Sequence, residues 1–320
     1  LRIGAKVAYQ NWDMKLEIGY TGNKATIKDA FATYTYKNHS IQVGQFYEPF
    51  SLEMMCSTFD IRFNQSPGAV LALTNGRRMG ITYSYRNKRH YMSGGAFMDN
   101  EVNNLKKASH GYALDGRVVY RPVLDSKKLI HIGFAANYRT PNESLNEEDK
   151  NIFIYKSPGV STIDNRNIAM ATIDHAAYQI KFGTELLVYY HRFCLQSEYI
   201  RTHVERDNAF KNYVAQGAYL QCSWLLSGET YLYDESIACA GRPEGKSLEV
   251  CSRFNYLTLN DEDAAIWGGE QKDISIGLNY YINKYIGIKL NYSYLMPGAN
   301  IKEISRKNFS VFQGRFQFIF

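Results

Sequence analysis

Long hydrophobic runs are missing from this chain, and proline and tryptophan are scarce. It has 320 residues, a mean hydropathy of −0.37, and no apolar stretch near the roughly 18 residues that a transmembrane helix needs. This argues against a helical membrane protein. Seven Pro and three Trp stand beside 24 Gly, 26 Tyr and 17 Phe. That composition suits strands with tight turns, because aromatic residues fit a pleated surface and Pro interrupts the hydrogen-bonded ladder.

Catalytic and metal-binding signatures are also missing. The seven His show no H-E-x-x-H spacing, and neither G-x-S-x-G nor G-x-G-x-x-G occurs. No C-x-x-C pair suggests a zinc site. The 37 basic and 31 acidic residues give a net charge of +6, but they are interspersed and form no patch for nucleic acid. We therefore expect no enzyme activity, no cofactor, no metal and no nucleic-acid partner.

The five cysteines leave two interpretations open. Cys239 and Cys251 flank a turn rich in Gly and Pro, so they are placed to form a disulfide in an oxidising compartment. The alternative is that they and the remaining Cys56, Cys194 and Cys222 are all small packing residues.

Period-two alternation of apolar and polar residues dominates the chain. In 274–282 and 286–294, for example, every second residue is Ile, Leu or Tyr. Such segments are about ten residues long and end in turn chemistry such as Thr21-Gly22-Asn23-Lys24, which predicts strands with two different faces. Fifteen strands are predicted, at 1–10, 13–20, 26–36, 40–48, 78–87, 89–99, 110–122, 127–137, 177–190, 193–205, 211–223, 248–258, 272–282, 286–295 and 309–320.

The composition of the two faces indicates a barrel rather than a soluble sandwich. The polar faces carry Gly, Ser, Asn, Gln and charges, while Tyr and Phe gather near the strand ends, as in the aromatic girdles of outer-membrane barrels. A sandwich of this length would need about three domains, and no shift in composition marks a boundary. We predict one all-β domain over 1–320, a membrane-spanning antiparallel β-barrel.

Connection lengths predict which side of the barrel each loop occupies. Short turns and long loops alternate along the chain, as in barrels with short periplasmic turns and long extracellular loops. The parity predicts a sixteenth strand upstream of residue 1. One connection, 224–247, is long although the parity places it on the side of the short turns. Either that turn is unusual or it contains an unrecognised strand pair. The predicted short turns are 37–39, 88, 123–126, 191–192 and 283–285, and the long loops are 49–77, 100–109, 138–176, 259–271 and 296–308.

Two motifs in this chain are specific: the segment Gly44-Gln45-Phe46-Tyr47-Glu48-Pro49-Phe50 and the final Phe320, which follows an alternating strand. Together they resemble the family of phosphate-selective porins O and P. The resemblance covers most of the chain and is weakest over 100–190. Further similar segments are Leu1-Arg2-Ile3-Gly4, Lys28-Asp29-Ala30-Phe31, Gly76-Arg77-Arg78-Met79-Gly80, Ser223-Trp224-Leu225-Leu226-Ser227-Gly228-Glu229 and Gly277-Leu278-Asn279-Tyr280-Tyr281-Ile282-Asn283.

The resemblance implies a sixteen-stranded barrel in the outer membrane of a Gram-negative bacterium, usually a homotrimer. It also implies that the loop 49–77 folds inward and narrows the pore; we call it the constriction loop. The family's Phe-x-Glu-Arg is replaced here by Phe59-Asp60-Ile61-Arg62, so the Glu is lost. This departure leaves a preference for phosphate open.

Charges on the predicted inner faces slightly favour anions. An anion that loses hydration in a pore needs fixed positive charge or N–H donors, and the planar fork of Arg binds two phosphate oxygens at once. Opposite charges on neighbouring strands also form ladders that brace a wall, so a structural role is open for each residue. The inner-face cations are Arg2, Lys6, Lys15, Arg86, Arg117, Arg121, Lys181, Arg253, Lys289 and Arg315, and the acids are Glu17, Asp29, Asp115, Glu185, Glu198, Glu249 and Asp273.

Two functions are compatible with this pattern. The first is a passive porin surrounded by outer-membrane lipid and biased toward inorganic anions such as phosphate. The second is a structural barrel subunit, with a plugged lumen, in a complex with other outer-membrane proteins. An uninterrupted run of Arg and Lys favours the first, and a lumen closed by the constriction loop favours the second. The candidate pore-lining residues are Arg62, Arg77, Arg78, Arg86, Lys15 and Arg253.

Overall fold

The computed structural model describes residues 2–21, 23–98, 111–142, 151–161, 166–207, 209–298 and 307–319. Within these residues, no helix has the length and apolar character needed to cross a membrane. The described chain contains nineteen strands and two short helices. The helices are α1 (Leu52–Met55) and α2 (Gly68–Leu73). The strands are β1 (Arg2–Tyr9), β2 (Trp12–Thr21), β3 (Lys24–Tyr36), β4 (His39–Tyr47), β5 (Arg77–Arg86), β6 (His90–Met98), β7 (Tyr112–Leu124), β8 (Lys128–Arg139), β9 (Phe153–Ser157), β10 (Ala169–Ile173), β11 (Ala176–Tyr190), β12 (Phe193–Arg206), β13 (Tyr213–Ser227), β14 (Tyr231–Asp234), β15 (Cys239–Pro243), β16 (Ser247–Asp261), β17 (Ile266–Tyr281), β18 (Ile286–Pro297) and β19 (Phe309–Phe318).

Fifteen of the strands form one antiparallel sheet in which chain neighbours are sheet neighbours. The order is β1 to β8, then β11, β12, β13, β16, β17, β18 and β19. The fifteen predicted strands are confirmed, with bounds within four residues of the prediction except at the start of β17, which lies at Ile266 rather than 272. The predicted loop 259–271 is shorter in the structure. β16 and β17 continue their pairing as far as Asp261 and Ile266, so that only 262–265 connect them. The predicted loop 100–109 lies outside the described residues.

Two short hairpins were not predicted as strands. β9 pairs with β10 inside the connection 138–176, and β14 pairs with β15 inside 224–247. The second hairpin explains the connection that was too long for its side of the barrel. Each strand has only four or five residues, too few for a period-two pattern to stand out in the sequence.

The large sheet exposes its apolar face and buries its polar face. On β18, Ile288, Leu290 and Tyr292 are exposed, while Lys289 and Asn291 are buried. The same inversion runs along β7, β11, β13 and β17. Such a surface is unfavourable in water and is stabilised by lipid. The prediction of a membrane-spanning all-β sheet is therefore confirmed.

The constriction loop lies on the inside of this sheet, against strands far away in sequence. The backbone N–H of Leu52 donates to Glu198 on β12 at 3.0 Å, and that of Asn64 donates to Asn291 on β18 at 2.8 Å. In α2, the N–H of Ala69 donates to Asn255 on β16 at 3.0 Å. Wall side chains thus satisfy backbone groups that the inward fold removes from water. The predicted inward folding is confirmed.

Two apolar clusters fill much of the space around this loop. One joins α2 and Phe50 to the β9–β10 hairpin and to β12, β13 and β16. The other joins Leu52, Cys56 and Ile61 to the β14–β15 hairpin and to β8, β11 and β12. The interior bounded by β7 to β18 is therefore packed, whereas several inner-face side chains on β1 to β5 remain partly exposed.

Candidate functional site

Arg62, the predicted constriction residue, is buried beneath its own loop. Its Nε lies 3.3 Å from a Glu249 oxygen and donates to Ser223 Oγ at 3.1 Å. Its guanidinium also lies over the ring of Tyr231, with 5.0 Å between its Cζ and the ring centroid. Only 2% of the residue is exposed. In this arrangement Arg62 holds the loop to the wall.

Arg253 has a similar position on β16. Its Nη1 donates to the carbonyl of Gln65 at 2.9 Å, and its guanidinium stacks on Phe63 at 4.4 Å. Lys289 on β18 donates to the carbonyls of Phe59 and Ile61. These two wall cations donate to carbonyl oxygens of the constriction loop, so they anchor the loop to the wall.

Lys15 and Arg77 meet at Asp29, on the part of the wall that the loop leaves open. Lys15 Nζ binds Asp29 and lies 2.9 Å from Glu17. Arg77 Nε binds the other oxygen of Asp29, and its Nη1 donates to Tyr47 Oη at 2.8 Å. This is the charge ladder that opposite charges on neighbouring strands form.

The ladder continues onto β1. Arg2 Nη1 lies 3.3 Å from Glu17, and Lys6 Nζ lies 3.4 Å from Asp13. Lys6 is directly opposite Lys15 in the register of β1 and β2, so two like charges face each other across neighbouring strands. We call Arg2, Lys6, Lys15 and Arg77 with Asp13, Glu17 and Asp29 the open-wall ladder.

Three of the four cations of the open-wall ladder are more exposed than Glu17 and Asp29; Arg77 is the exception, and the third acid, Asp13, is about as exposed as Arg2. The exposed side-chain fractions are 67% for Lys6, 40% for Arg2, 32% for Lys15 and 12% for Arg77, against 43% for Asp13, 16% for Glu17 and 9% for Asp29. Solvent at this wall therefore reaches the side chains of Arg2, Lys6 and Lys15 more than those of Glu17 and Asp29.

Arg78 is the second residue of β5, next to Arg77. It lies near a group of polar and charged residues around Glu48 that was not predicted from the sequence. Arg139 on β8 binds Glu48, Asn75 Nδ2 donates to Glu48 at 2.6 Å, and Lys181 Nζ donates to Asn75 at 3.0 Å. The charge of Arg78 acts on Arg139. Arg139 was missed because the predicted strand ended at 137; the fact that 133, 135 and 137 face inward would have placed it on the inner face.

Arg86 lies apart from the other candidates, at the turn end of β5. It lines a cavity of about 660 Å³ with Asp60, Asp234 and Arg242. A second cavity of about 620 Å³ shares the hairpin residues Leu232, Tyr233 and Glu235 and extends toward Lys88 and Lys128. Burial raises the pKa of Asp60, although Arg242 and other cations act in the opposite direction.

The cysteine interpretation with five separate packing residues agrees with the structure. All five are free thiols, and all except the half-buried Cys222 are buried. Cys251 contacts Asn279 on the inner wall, and the alternative interpretation, a bond between Cys239 and Cys251, is not present in this structure. Among the described residues, no group of three or more His, Cys, Asp or Glu is placed to hold a metal ion.

An exposed apolar belt, a polar interior and an inward loop define an outer-membrane β-barrel of the porin type. The sequence model for phosphate-selective porin O and P matches residues 5–320. The chain therefore belongs to that family, as its sequence motifs indicated.

Two relatives of known sequence are similar over most of this chain. An uncharacterised protein of Caulobacter vibrioides is 26% identical over 310 residues, which cover 92% of this chain and 60% of that protein. Porin O of Pseudomonas aeruginosa is 22% identical over 326 residues, which cover 89% of this chain and 73% of that protein. The chain thus spans less than two thirds of the length of the first relative.

Solved structures share the fold at low identity. The loop L8 deletion mutant of the outer membrane protein OmpT of Vibrio cholerae has a TM-score of 0.60 at 10% identity, with 98% of this chain and 90% of that chain covered. The anion-selective porin from Comamonas acidovorans has a TM-score of 0.57 at 12% identity, with 99% and 87% covered. At these identities the likeness concerns the fold alone.

Proposed function

We propose that this protein is a passive outer-membrane porin of a Gram-negative bacterium with a modest preference for inorganic anions such as phosphate. It acts without a catalytic step. The observation that carries the proposal is the open-wall ladder, in which the side chains of Arg2, Lys6 and Lys15 are exposed and, of the three acids, only that of Asp13 is comparably exposed. The family and the anion-selective relative in fold support the same function.

The ladder favours anions through the position of its charges rather than their number. An ion in the open lumen approaches the exposed cations of Arg2, Lys6 and Lys15 more closely than the shielded acids. Coulomb energy falls with distance, and water weakens it strongly, so the preference is modest. Outside this ladder, Arg62 and Arg253 are satisfied by loop and wall groups and contribute little to it.

The protein is further proposed to be a homotrimer surrounded by outer-membrane lipid. The trimer form of OmpT of Vibrio cholerae shares the fold, with a TM-score of 0.58 at 10% identity over 98% of this chain and 90% of that chain. Mass measurement of the detergent-solubilised protein by light scattering tests this, with three copies of the 36.7 kDa chain expected.

Conductance in planar bilayers tests the channel. In a KCl gradient we expect the reversal potential to shift from zero toward the equilibrium potential of chloride. Added phosphate is expected to reduce the chloride current. The double variant Lys6→Gln and Lys15→Gln should move the reversal potential toward zero or to the cation side. Lys272→Gln is the control for each single substitution, because Lys272 is exposed on the outward face of β17 and its loss removes one positive charge outside the lumen.

A structural subunit with a plugged lumen is the second candidate, and the packed interior favours it. The constriction loop and both hairpins fill the space between β7 and β18. If it applies, the folded protein shows no conductance and purifies with other outer-membrane proteins. Ion flow that the Lys6 and Lys15 variant alters would exclude it.

A further inference from the structure

Two cysteines from distant parts of the chain meet inside the lumen. Cys56 follows α1 in the constriction loop, and Cys239 begins β15 in the inward hairpin. Both are buried in the same apolar cluster, and the side chain of Cys239 acts on the thiol of Cys56. Each thiol donates to a nearby backbone carbonyl, Cys56 to Leu52 at 3.1 Å and Cys239 to Ala240 at 3.6 Å. The sequence analysis did not pair them, because they lie 183 positions apart.

A second interaction joins the same two segments. Arg242 Nε lies 3.7 Å from Asp60. Asp60 is four residues after Cys56, and Arg242 is three residues after Cys239. The hairpin is also tied to the wall, since Arg117 donates to the carbonyls of Ile237 and Ala238 at 2.8 and 2.7 Å. The two thiols thus lie within an ordered contact between loop, hairpin and wall.

We propose that Cys56 and Cys239 are a disulfide-forming modification site that joins the constriction loop to the β14–β15 hairpin. In this reaction each thiol loses a proton, the pair gives up two electrons, and one S–S bond forms. The electron acceptor is another disulfide, from a protein or from oxidised glutathione, which is reduced to two thiols. The inference rests on the proposed outer-membrane location, because such proteins pass through an oxidising compartment.

The joined form would hold the hairpin inside the barrel. Gly228 and Gly245 flank the hairpin with φ of +104° and +67°, conformations that glycine adopts without strain. A bond between 56 and 239 closes a long loop of chain and restricts the unfolded state strongly. The oxidised protein should therefore resist denaturation and keep the turn-side entrance closed.

The bond must form before the barrel is complete. The neighbouring thiol of Cys239 and burial raise the pKa of Cys56, and a thiol attacks a disulfide only as its thiolate. The experiment therefore supplies the oxidant during folding. Full-length protein is refolded from urea into detergent with oxidised or reduced glutathione, then unfolded again in denaturant that contains N-ethylmaleimide, so that buried free thiols are alkylated too. It is then digested, and its peptides are analysed by mass spectrometry.

We expect the oxidised sample to contain the Cys56–Cys239 linked peptide, 2 Da lighter than its two free peptides, while Cys194, Cys222 and Cys251 are alkylated. Its denaturation midpoint should fall after reduction by phosphine, and the variants Cys56→Ser and Cys239→Ser should lose this response. Cys222→Ser is the control that keeps it. A folded, oxidised sample with Cys56 and Cys239 both alkylated would overturn the proposal, as would mixed pairings. This result needs no conductance, so it is independent of the channel assay.

Discussion

Replacing Arg62 with Gln distinguishes a permeation residue from a structural one. The sequence placed Arg62 in the constriction, whereas the structure shows it buried against Glu249, Ser223 and Tyr231. If it holds the loop, Arg62→Gln should destabilise the folded barrel. If it binds passing ions, the same variant should alter selectivity and leave stability nearly unchanged.

The expected loss in the free energy of unfolding depends on the hydrogen bonds that Glu249 keeps in the variant. Removing one partner of a buried ion pair costs about 3–5 kcal/mol, because the other charge stays buried. In the variant, Glu249 still accepts from Asn279 at 2.9 Å and from Tyr281 at 3.2 Å. In addition, Nη2 of Arg62 has no partner among the described residues, so little is lost there. We therefore expect Arg62→Gln to lower the free energy of unfolding by about 3 kcal/mol, the lower end of that range.

Urea unfolding in lipid vesicles measures this difference, with tryptophan fluorescence and the gel mobility of the folded barrel as separate probes. Arg242→Gln is the matched control, because its contact with Asp60 at 3.7 Å is partly exposed and such pairs contribute about 0–1 kcal/mol. A loss below about 1 kcal/mol for Arg62→Gln, together with a changed reversal potential, would refute the structural role.

Three further predictions concern other parts of the chain. Gly44→Ala should reduce the folded fraction on gels at least severalfold, because φ is +132° and an added Cβ would lie 2.2 Å from the Ala30 carbonyl; Gly116→Ala, with nothing within 4 Å of its Cβ, should fold normally. Burial raises the pKa of Glu53, so the folded state holds the proton longer and the free energy of unfolding should fall as pH rises above about 4.5; Glu53→Gln should flatten this slope in urea titrations between pH 4 and 7. Leu290→Arg places a charge on the exposed apolar face and should cost about 2–4 kcal/mol in the same unfolding assay, whereas no loss would contradict a lipid-facing position.

Local pattern was enough to predict the fifteen long strands. Their bounds were recovered because each carries eight or more residues of alternating character, and alternation is a local consequence of strand geometry. The short hairpins β9–β10 and β14–β15 were not predicted, since four or five residues cannot establish a period. The first packs in the apolar cluster that contains α2, and the second packs in the cluster that contains Leu52, Cys56 and Ile61 of the constriction loop.

The candidate site was predicted less completely. The sequence correctly placed Lys15, Arg117 and Arg253 on inner faces, but it did not show which of them remain in contact with solvent. That depends on where the constriction loop and the hairpins lie, and these contacts join residues such as Cys56 and Cys239 across more than half of the chain. No local pattern encodes such a meeting.

By itself, the sequence determined the all-β class, the fifteen strands of the large sheet and the family, because strand periodicity, turn chemistry and the Gly-Gln-Phe-x-x-Pro-Phe segment are properties of neighbouring residues. Only the tertiary structure decided that Arg62 and Arg253 support the loop while the side chains of Lys6 and Lys15 remain in contact with solvent. The physical reason is burial: the same guanidinium is a structural donor when carbonyl and carboxylate oxygens surround it, and a fixed charge for passing ions when water does.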